Sequence, residues 1–163
     1  MAEVLTVDQM LANTAEPKRE FRWILSLDGI DAFTCVSATR PGGGTFAETE
    51  IRYINQRRFL SGTFTPDAMS LVLWDPIEAS ASQKVLEWAR LNYEIVSGRA
   101  GYWEFYKKDF DLKLLDPPGG VAEQWRVQGA WPQKIDMGAL NYDSDAVSKI
   151  TLTIRYNSAT LLF

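Results

Sequence analysis

Carboxylates are the side chains in this sequence best suited to chemistry, because the 163 residues contain no histidine and a single cysteine. Those counts exclude the common zinc sites and every catalytic centre that needs an imidazole. Three carboxylate pairs are spaced two residues apart: Glu48 with Glu50, Asp109 with Asp111, and Asp143 with Asp145. On a strand each pair would share one face, as acid-base catalysis requires, but a solvent-exposed strand face gives the same pattern and is commoner. We therefore predict no catalytic residue and no enzyme.

No metal or cofactor site is predicted either. The sequence NYDSD at residues 141–145 is similar to part of a calcium-binding loop, but it lacks the glycine and the distal glutamate of that motif. A turn before the last strand is the better interpretation of residues 141–145. Cys35 lies in an alternating apolar run without a cationic neighbour in sequence, which favours a small buried hydrophobic residue over a nucleophile.

The overall composition indicates one acidic domain. The chain has 17 Lys and Arg against 21 Asp and Glu, so its net charge is −4. An acidic chain is a poor candidate for binding nucleic acid through its phosphates. With 46% hydrophobic residues, a chain of this length can bury about 70% of its unfolded surface. No stretch approaches the roughly 20 apolar residues that span a bilayer, and the N-terminus lacks the features of a signal peptide. We expect a protein that stays soluble where it is made.

Alternating apolar residues predict an antiparallel β protein. Residues 21–27 and 30–38 flank the turn signal Asp28-Gly29 and are predicted to pair as a hairpin. The other predicted strands are 69–74, a second hairpin of 102–115 with 121–131, and a last strand from 149 to 156. Because strands occur in runs without alternating helices, a parallel sheet is not expected.

One helix is predicted to cover the sheet. Ser80 begins it, with Gln83 three residues later, and Gly98 stands where a left-handed residue would end it. Its predicted apolar stripe comprises Val85, Leu86, Trp88, Ala89, Tyr93 and Val96. Five tryptophans lie in strand or helix patterns and are predicted to be core residues: Trp23, Trp74, Trp88, Trp125 and Trp131.

Two segments do not fit this core. Residues 1–19 show no sustained period and are predicted to form an N-terminal arm with at most one helical turn, around residues 7–12. Residues 45–64 carry charges of both signs among scattered apolar residues, which predicts a polar, extended, projecting hairpin. The predicted fold is a single domain over residues 1–163, mainly β within the α+β class. It is an antiparallel β-barrel or sandwich with one covering α-helix and a long projecting hairpin.

Three stretches, in order, resemble the tail tube proteins of contractile-tailed bacteriophages, the T4-like tail tube family. The first is FRWILSLDGI at residues 21–30, continuing to Arg40-Pro41-Gly42. The second is EIRYINQRR at residues 50–58, followed by the strand that ends at Trp74. The third and most specific is WRVQGAWP at residues 125–132, followed by LNYDSD at 140–145 and the last strand.

The resemblance implies a structural virion protein that assembles itself. In that family, hexameric rings join their sheets into one barrel and stack into the hollow inner tube of a contractile tail, which guides DNA out of the virion. The implied partners are further copies of the chain, the tail sheath protein, and the baseplate or tube-initiator and tail terminator proteins. The tape measure protein and DNA pass through the lumen without specific binding. The implied location is the virion tail, after assembly in the host bacterial cytoplasm.

By the same resemblance, residues 45–64 correspond to the hairpin that contacts the adjacent ring. The charged residues of this segment are the predicted inter-ring interface: Glu48, Glu50, Arg52, Arg57 and Arg58. The alternative for each is an ordinary surface charge, since many exposed ion pairs contribute only about 0–1 kcal/mol.

Three other interpretations stay open from the sequence. The tube proteins of type VI secretion and of extracellular contractile injection systems share the fold, and an injection-system tube would look nearly identical. A monomeric β-barrel module that binds a carbohydrate or other small ligand belongs to a different class. A carboxylate-dependent hydrolase is the weakest of the three and requires one indispensable acid pair. Oligomeric state separates a self-assembling tube from a monomeric module.

Overall fold

The computed structural model describes residues 16–78 and 80–163. The helical turn predicted around residues 7–12 lies outside the described residues, as does most of the predicted arm at 1–19. In chain order the elements are β1 (Trp23–Ser26), a 3-10 helix (Ala32–Thr34), β2 (Cys35–Ala38), β3 (Gly44–Tyr53), β4 (Gln56–Pro66), β5 (Met69–Trp74), α1 (Ala81–Asn92), α2 (Trp103–Tyr106), β6 (Lys108–Leu115), β7 (Val121–Asp136), β8 (Lys149–Arg155) and β9 (Ser158–Leu161). No helix within the described ranges is long and apolar enough to cross a bilayer.

Seven strands form one antiparallel sheet in the order β1-β6-β7-β8-β5-β2, with β9 also paired to β7. The long strand β7 joins the two halves of this sheet. Its first half pairs with β6 and β9, and its second half, from Trp131 onward, pairs with β8. The prediction of a mainly antiparallel β fold is therefore confirmed.

The two halves of the sheet enclose one core, built from alternate residues of the strands and two residues of α1. Its members are Leu25, Leu27, Met69, Leu71, Leu73, Val85, Trp88, Phe110, Leu112, Val127, Ala130, Leu152, Ile154 and Tyr156. Because β1 and β5 belong to opposite halves yet contribute to the same cluster, the sheet curves around it. The curved sheet is open, not a closed barrel: within the described residues, β1 and β2 end the strand order and do not pair with each other.

The prediction that β1 and β2 pair with each other as a hairpin is wrong, although the turn between them forms. Asp28-Gly29 forms a tight turn, with Gly29 at φ 84°, and a single bridge follows it. The chain then enters the 3-10 helix, in which the Thr34 hydroxyl donates to the Asp31 carbonyl at 2.7 Å. This helix turns the chain away, so that β1 pairs with β6 and β2 pairs with β5. Alternation identified extended segments, but it carries no information about which strand each one pairs with.

The helix α1 begins where predicted but is capped differently. The Asp75 carboxylate accepts hydrogen bonds from the Ser82 backbone N–H and the Ser80 hydroxyl, both at 3.1 Å. Ser80 occupies the N-cap position without making a side-chain cap of its own. Asp75, which directly follows β5, therefore accepts a hydrogen bond from a backbone N–H at the start of the helix, and this contact ties α1 to the sheet.

The buried face of α1 is narrower than the predicted stripe. It comprises Ala81, Val85 and Trp88. Three other predicted stripe residues are exposed: Leu86, Tyr93 and Val96. The helix ends at Asn92 and not near Gly98, because the next residue turns to an extended conformation and bridges Ala100. Residues 93 and 96 therefore lie beyond the helix and cannot share its buried face.

The second hairpin and the last strand confirm the period-two pattern. The strands β6 and β7 pair across the turn at 116–120, although residues 103–106, predicted as strand, form the short helix α2. In β8 every second residue is buried, as predicted, while β9 was not predicted. Of the five predicted core tryptophans, Trp88 is buried and three are half-buried, but Trp74 is 46% exposed because it ends β5 at the rim of the sheet.

The strands β3 and β4 form a separate two-stranded sheet, the projecting hairpin. It runs from a base where Gly44 lies opposite Pro66 to a tip where Tyr53 lies opposite Gln56. Strands of this length extend roughly 33 Å. No residue of the hairpin is buried, so it stands away from the core. The prediction of a long projecting hairpin is confirmed, and its strands are Gly44–Tyr53 and Gln56–Pro66.

Candidate assembly surfaces

Three charged residues of the projecting hairpin form one compact cluster near its tip. The Glu50 carboxylate lies 3.1 Å from an Arg52 nitrogen and 3.2 Å from the Arg57 Nε. Arg52 and Arg57 are directly opposite each other in the β3–β4 register. One glutamate therefore separates two arginines that would otherwise repel. Three of the five predicted interface residues are brought together in this way.

The other two predicted interface residues stand apart from this cluster. Arg58 lies opposite Ile51 and therefore points to the other face of the hairpin, and Glu48 lies opposite Ser61. Neither residue forms an ion pair with any part of the chain that the structure describes. Both are exposed, so their charges remain available to another molecule.

The hairpin exposes large apolar side chains, which the prediction of a polar segment does not account for. Six of them are exposed by 41% to 102% of their surface: Phe46, Tyr53, Ile54, Phe59, Leu60 and Phe64. The Phe46 and Phe64 rings lie opposite each other with centroids 4.8 Å apart. A soluble monomer rarely exposes an apolar surface of this kind unless it binds something. The signal was present in the sequence as apolar residues spaced along an otherwise charged segment.

The tip of the hairpin holds an unusual residue. Ile54 has φ 48° and is fully exposed. A β-branched residue with positive φ is strained, by roughly 1–2 kcal/mol, in a turn position that glycine favours. Local stability therefore does not explain an isoleucine at this position.

The base of the hairpin is fixed to the sheet by close contacts. Gly42 has φ 95°, and a Cβ at this position would lie 2.6 Å from the Trp125 ring. The Gly42 N–H donates to the Tyr156 hydroxyl at 3.1 Å. The Asp67 N–H donates to the Gly43 carbonyl at 2.9 Å and closes the base. Only glycine permits this approach of the backbone to β7.

A buried carboxylate lies beside this base. Glu123 on β7 is 5% exposed and accepts hydrogen bonds from the Lys18 ammonium and the Trp125 indole. The Arg40 guanidinium is 4.0 Å away. The hydrogen bond from Lys18 is the largest cause that lowers the pKa of the Glu123 carboxyl, and the Trp125 indole and the positive charges of Arg40 and Lys18 lower it further. Together they outweigh burial, which raises the pKa. Glu123 thus links the segment before β1, the approach to the hairpin, and the sheet.

The carboxylate pairs considered for catalysis are engaged in structural contacts or exposed. Asp111 accepts two hydrogen bonds from Arg126, at 2.9 and 3.1 Å, and the pKa of its carboxyl is lowered chiefly by that arginine. Asp109 accepts from the Gly129 N–H at 2.8 Å. Asp143 and Asp145 are exposed in the β7–β8 loop. No group of three potential metal ligands occurs among residues 16–78 and 80–163.

Cys35, the single cysteine, is half-buried and unpaired in a disulfide. Burial raises the pKa of its thiol to about 11, so the thiol stays protonated at neutral pH. A protonated thiol is a poor nucleophile.

Comparison with known proteins identifies the family. Residues 66–160, more than half of the chain, match the family model of the T4-like virus tail tube protein gp19. The chain belongs to this tail tube family. A tail tube protein of Serratia phage KSP90 is 37% identical over 59 residues, which are 33% of this chain and 31% of that protein. The aligned part thus spans about a third of the length of that relative.

Solved structures share the fold of this tail tube family member. The sheath/tube terminator of an extracellular contractile injection system, PVC, has a TM-score of 0.74 at 14% identity and covers 93% of this chain and 100% of its own. The tube-terminating cap of the anti-feeding prophage has a TM-score of 0.72 at 19% identity, covering 91% and 93%. A chain of the PVC sheath-tube complex has a TM-score of 0.71 at 15% identity, covering 96% and 98%.

Proposed function

We propose that this chain is the subunit of the inner tube of a contractile phage tail. It assembles into hexameric rings that stack into a hollow tube, and DNA leaves the virion through the tube. The family match over residues 66–160 is the observation that carries the proposal. The shared fold with injection-system tube and terminator chains supports it.

The open sheet supports assembly into a ring. Both β1 and β2 end the strand order of the described sheet, so each has an edge with unpaired backbone groups. Exposed edges invite pairing with another chain, and a closed ring of copies satisfies them all. The acidic net charge of −4 suits a conduit, because a basic wall would hold the DNA phosphates.

The projecting hairpin supports stacking of the rings. It carries a charged cluster around Glu50 and exposed apolar residues on a support that stands away from the core. Contact with the adjacent ring would cover both. The five residues assigned to this inter-ring interface are Glu48, Glu50, Arg52, Arg57 and Arg58.

The remaining partners and the location follow from the same proposal. The tube is surrounded by the tail sheath, begins on a baseplate initiator and ends at a terminator, and it encloses the tape measure protein and then DNA without specific binding. The protein assembles in the host cytoplasm and resides in the virion tail. It has no catalytic role, in keeping with the structural contacts of Asp109 and Asp111. A tube of an injection system is the second candidate, favoured by the fold likeness to PVC chains.

Electron microscopy of the purified full-length protein, together with its native mass at rising concentration, tests this function. We expect hexameric rings and hollow stacked tubes. Arg57→Glu with Arg58→Glu should leave the rings intact and weaken their stacking. The matched control, Arg90→Glu with Arg99→Glu, makes the same charge change on exposed residues outside the hairpin. A monomer at every concentration, even with an added tube initiator, would contradict the proposal and favour a monomeric ligand-binding module.

A further inference from the structure

The base of the projecting hairpin and the β7–β8 loop lie at opposite ends of the same strand pair, β5 with β8. The hairpin leads into β5 at the end where Met69 lies opposite Ile154. At the other end Trp74 lies opposite Lys149, and there the loop formed by residues 137–148 joins β7 to β8. Two different surfaces at opposite ends of a subunit are what head-to-tail stacking requires, because one surface of each copy must meet the other surface of the next.

The β7–β8 loop has the form of a receiving surface. It frames a groove of about 700 Å³, and three of its apolar side chains are exposed: Leu140 by 93%, Tyr142 by 109% and Val147 by 63%. Val147 also lines a neighbouring apolar groove of about 260 Å³, together with Phe33 and Trp74. The loop is held in shape from within, since the Asn141 side chain accepts from a backbone N–H at 3.0 Å.

The charges of the two surfaces are complementary. The loop itself carries two carboxylates, Asp143 and Asp145, and no cation, while Lys149 at the start of β8 also lines the groove. Neither carboxylate forms an ion pair with the described residues. The hairpin carries three arginines against two glutamates, and its Arg58 is the arginine that none of the described carboxylates neutralises. Arg58 shares its hairpin face with Leu60, so this face combines a positive charge with an apolar side chain. The loop likewise combines negative charges with apolar side chains.

We propose that the β7–β8 loop, residues 137–148, receives the projecting hairpin of a second copy of this chain in the adjacent ring. Arg58 faces Asp143 and Asp145, and the strained, exposed Ile54 enters the apolar part of the groove. A contact of this kind accounts for an isoleucine in a turn position that favours glycine. The inference rests on the proposed function, because it specifies which surface of the next ring the hairpin meets.

Charge reversal on both surfaces tests the pairing. The hairpin variant is Arg58→Glu, because Arg57 is already paired with Glu50 on the other face of the hairpin, and the loop variant is Asp143→Lys with Asp145→Lys. Each is expected to raise the concentration at which rings stack by about tenfold, which corresponds to about 1.4 kcal/mol. Combining the two variants should return most of the lost stacking, because opposite charges again face each other. Stacking is followed by light scattering and electron microscopy of the full-length protein.

A matched control distinguishes pairing from a change in net charge. The hairpin variant combined with Glu87→Lys and Glu104→Lys has the same net charge as the hairpin-loop combination, but both changes lie on exposed helix residues. It should not recover stacking. Ile54→Gly tests the apolar contact: it relieves the strained turn, so the monomer keeps its fold, yet stacking should weaken.

The outcomes separate this inference from the proposed function. If wild-type rings stack and the hairpin variant weakens them, but the loop variant stacks normally or fails to compensate, the hairpin docks elsewhere and only this inference is overturned. If the wild-type protein forms no rings, the proposed function itself fails. Native mass spectrometry and circular dichroism confirm that each variant still folds and forms rings.

Discussion

The strands β8 and β4 show how differently two antiparallel strands of one chain can be used. In β8, Ile150, Leu152 and Ile154 are at most 1% exposed, and Leu152 and Ile154 belong to the core cluster that also contains residues of α1 and of the other half of the sheet. The longer strand β4 carries Phe59 and Leu60, which are 60% and 53% exposed. Pairing of backbones forms both strands, but burial requires a second layer. Among residues 16–78 and 80–163 no second layer covers the hairpin, which is why its apolar surface indicates an interface.

The largest expected effect is a loss of folding stability, and it is tested by replacing one leucine from each strand. Leu152→Ala should lower the free energy of unfolding by about 2–5 kcal/mol, because it leaves a cavity in a fully enclosed core. Leu60→Ala should change it by less than about 0.5 kcal/mol, because that side chain is half exposed. Urea unfolding of unassembled protein measures both. Equal losses would mean that the hairpin packs on its own domain, contrary to the comparison.

A smaller effect is expected where the hairpin joins the sheet. Gly42→Ala should destabilise the fold because of both its positive φ and its contact with Trp125. Gly119→Ala is the control, since Gly119 has nearly the same φ, 96°, with nothing within 4 Å. We expect a loss of roughly 1–2 kcal/mol for Gly119→Ala from backbone strain alone and at least about 1 kcal/mol more for Gly42→Ala from overpacking. Thermal unfolding compares the two, and similar losses would show that Trp125 moves aside freely.

The smallest expected effect is the pH dependence contributed by Glu123. Its folded pKa lies below the ordinary value of 4.5, so its ionised form stabilises the fold at neutral pH. That contribution is lost as the pH falls below 4.5 and through the folded pKa. The stability difference between wild type and Glu123→Gln should therefore shrink on acidification. Urea unfolding near neutral pH and at about pH 3 measures it, and a difference independent of pH would refute the role of the charge.

The local character of most segments follows from the order of residues along the chain. The alternation of apolar residues identified β5, β6, the first part of β7 and β8, and turn residues marked the ends of the β6–β7 hairpin. The same patterns, with the motifs at 125–132 and 140–145, were enough to indicate the tail tube family. These features depend on neighbours in the chain, and short-range sequence patterns carry that information.

Which segments meet depends on how the folded chain packs. The 3-10 helix sends β2 to β5 in place of β1, and Asp75 caps α1 from outside the helix. Glu123 gains its partners from three separate parts of the chain, and the hairpin base and the β7–β8 loop come to opposite ends of β5 and β8. Apart from the contacts of Asp75 with the start of α1 and of Glu123 with Trp125, these relations join residues that are distant in sequence. Period-two alternation specifies that residues share a face, but only packing decides what that face contacts.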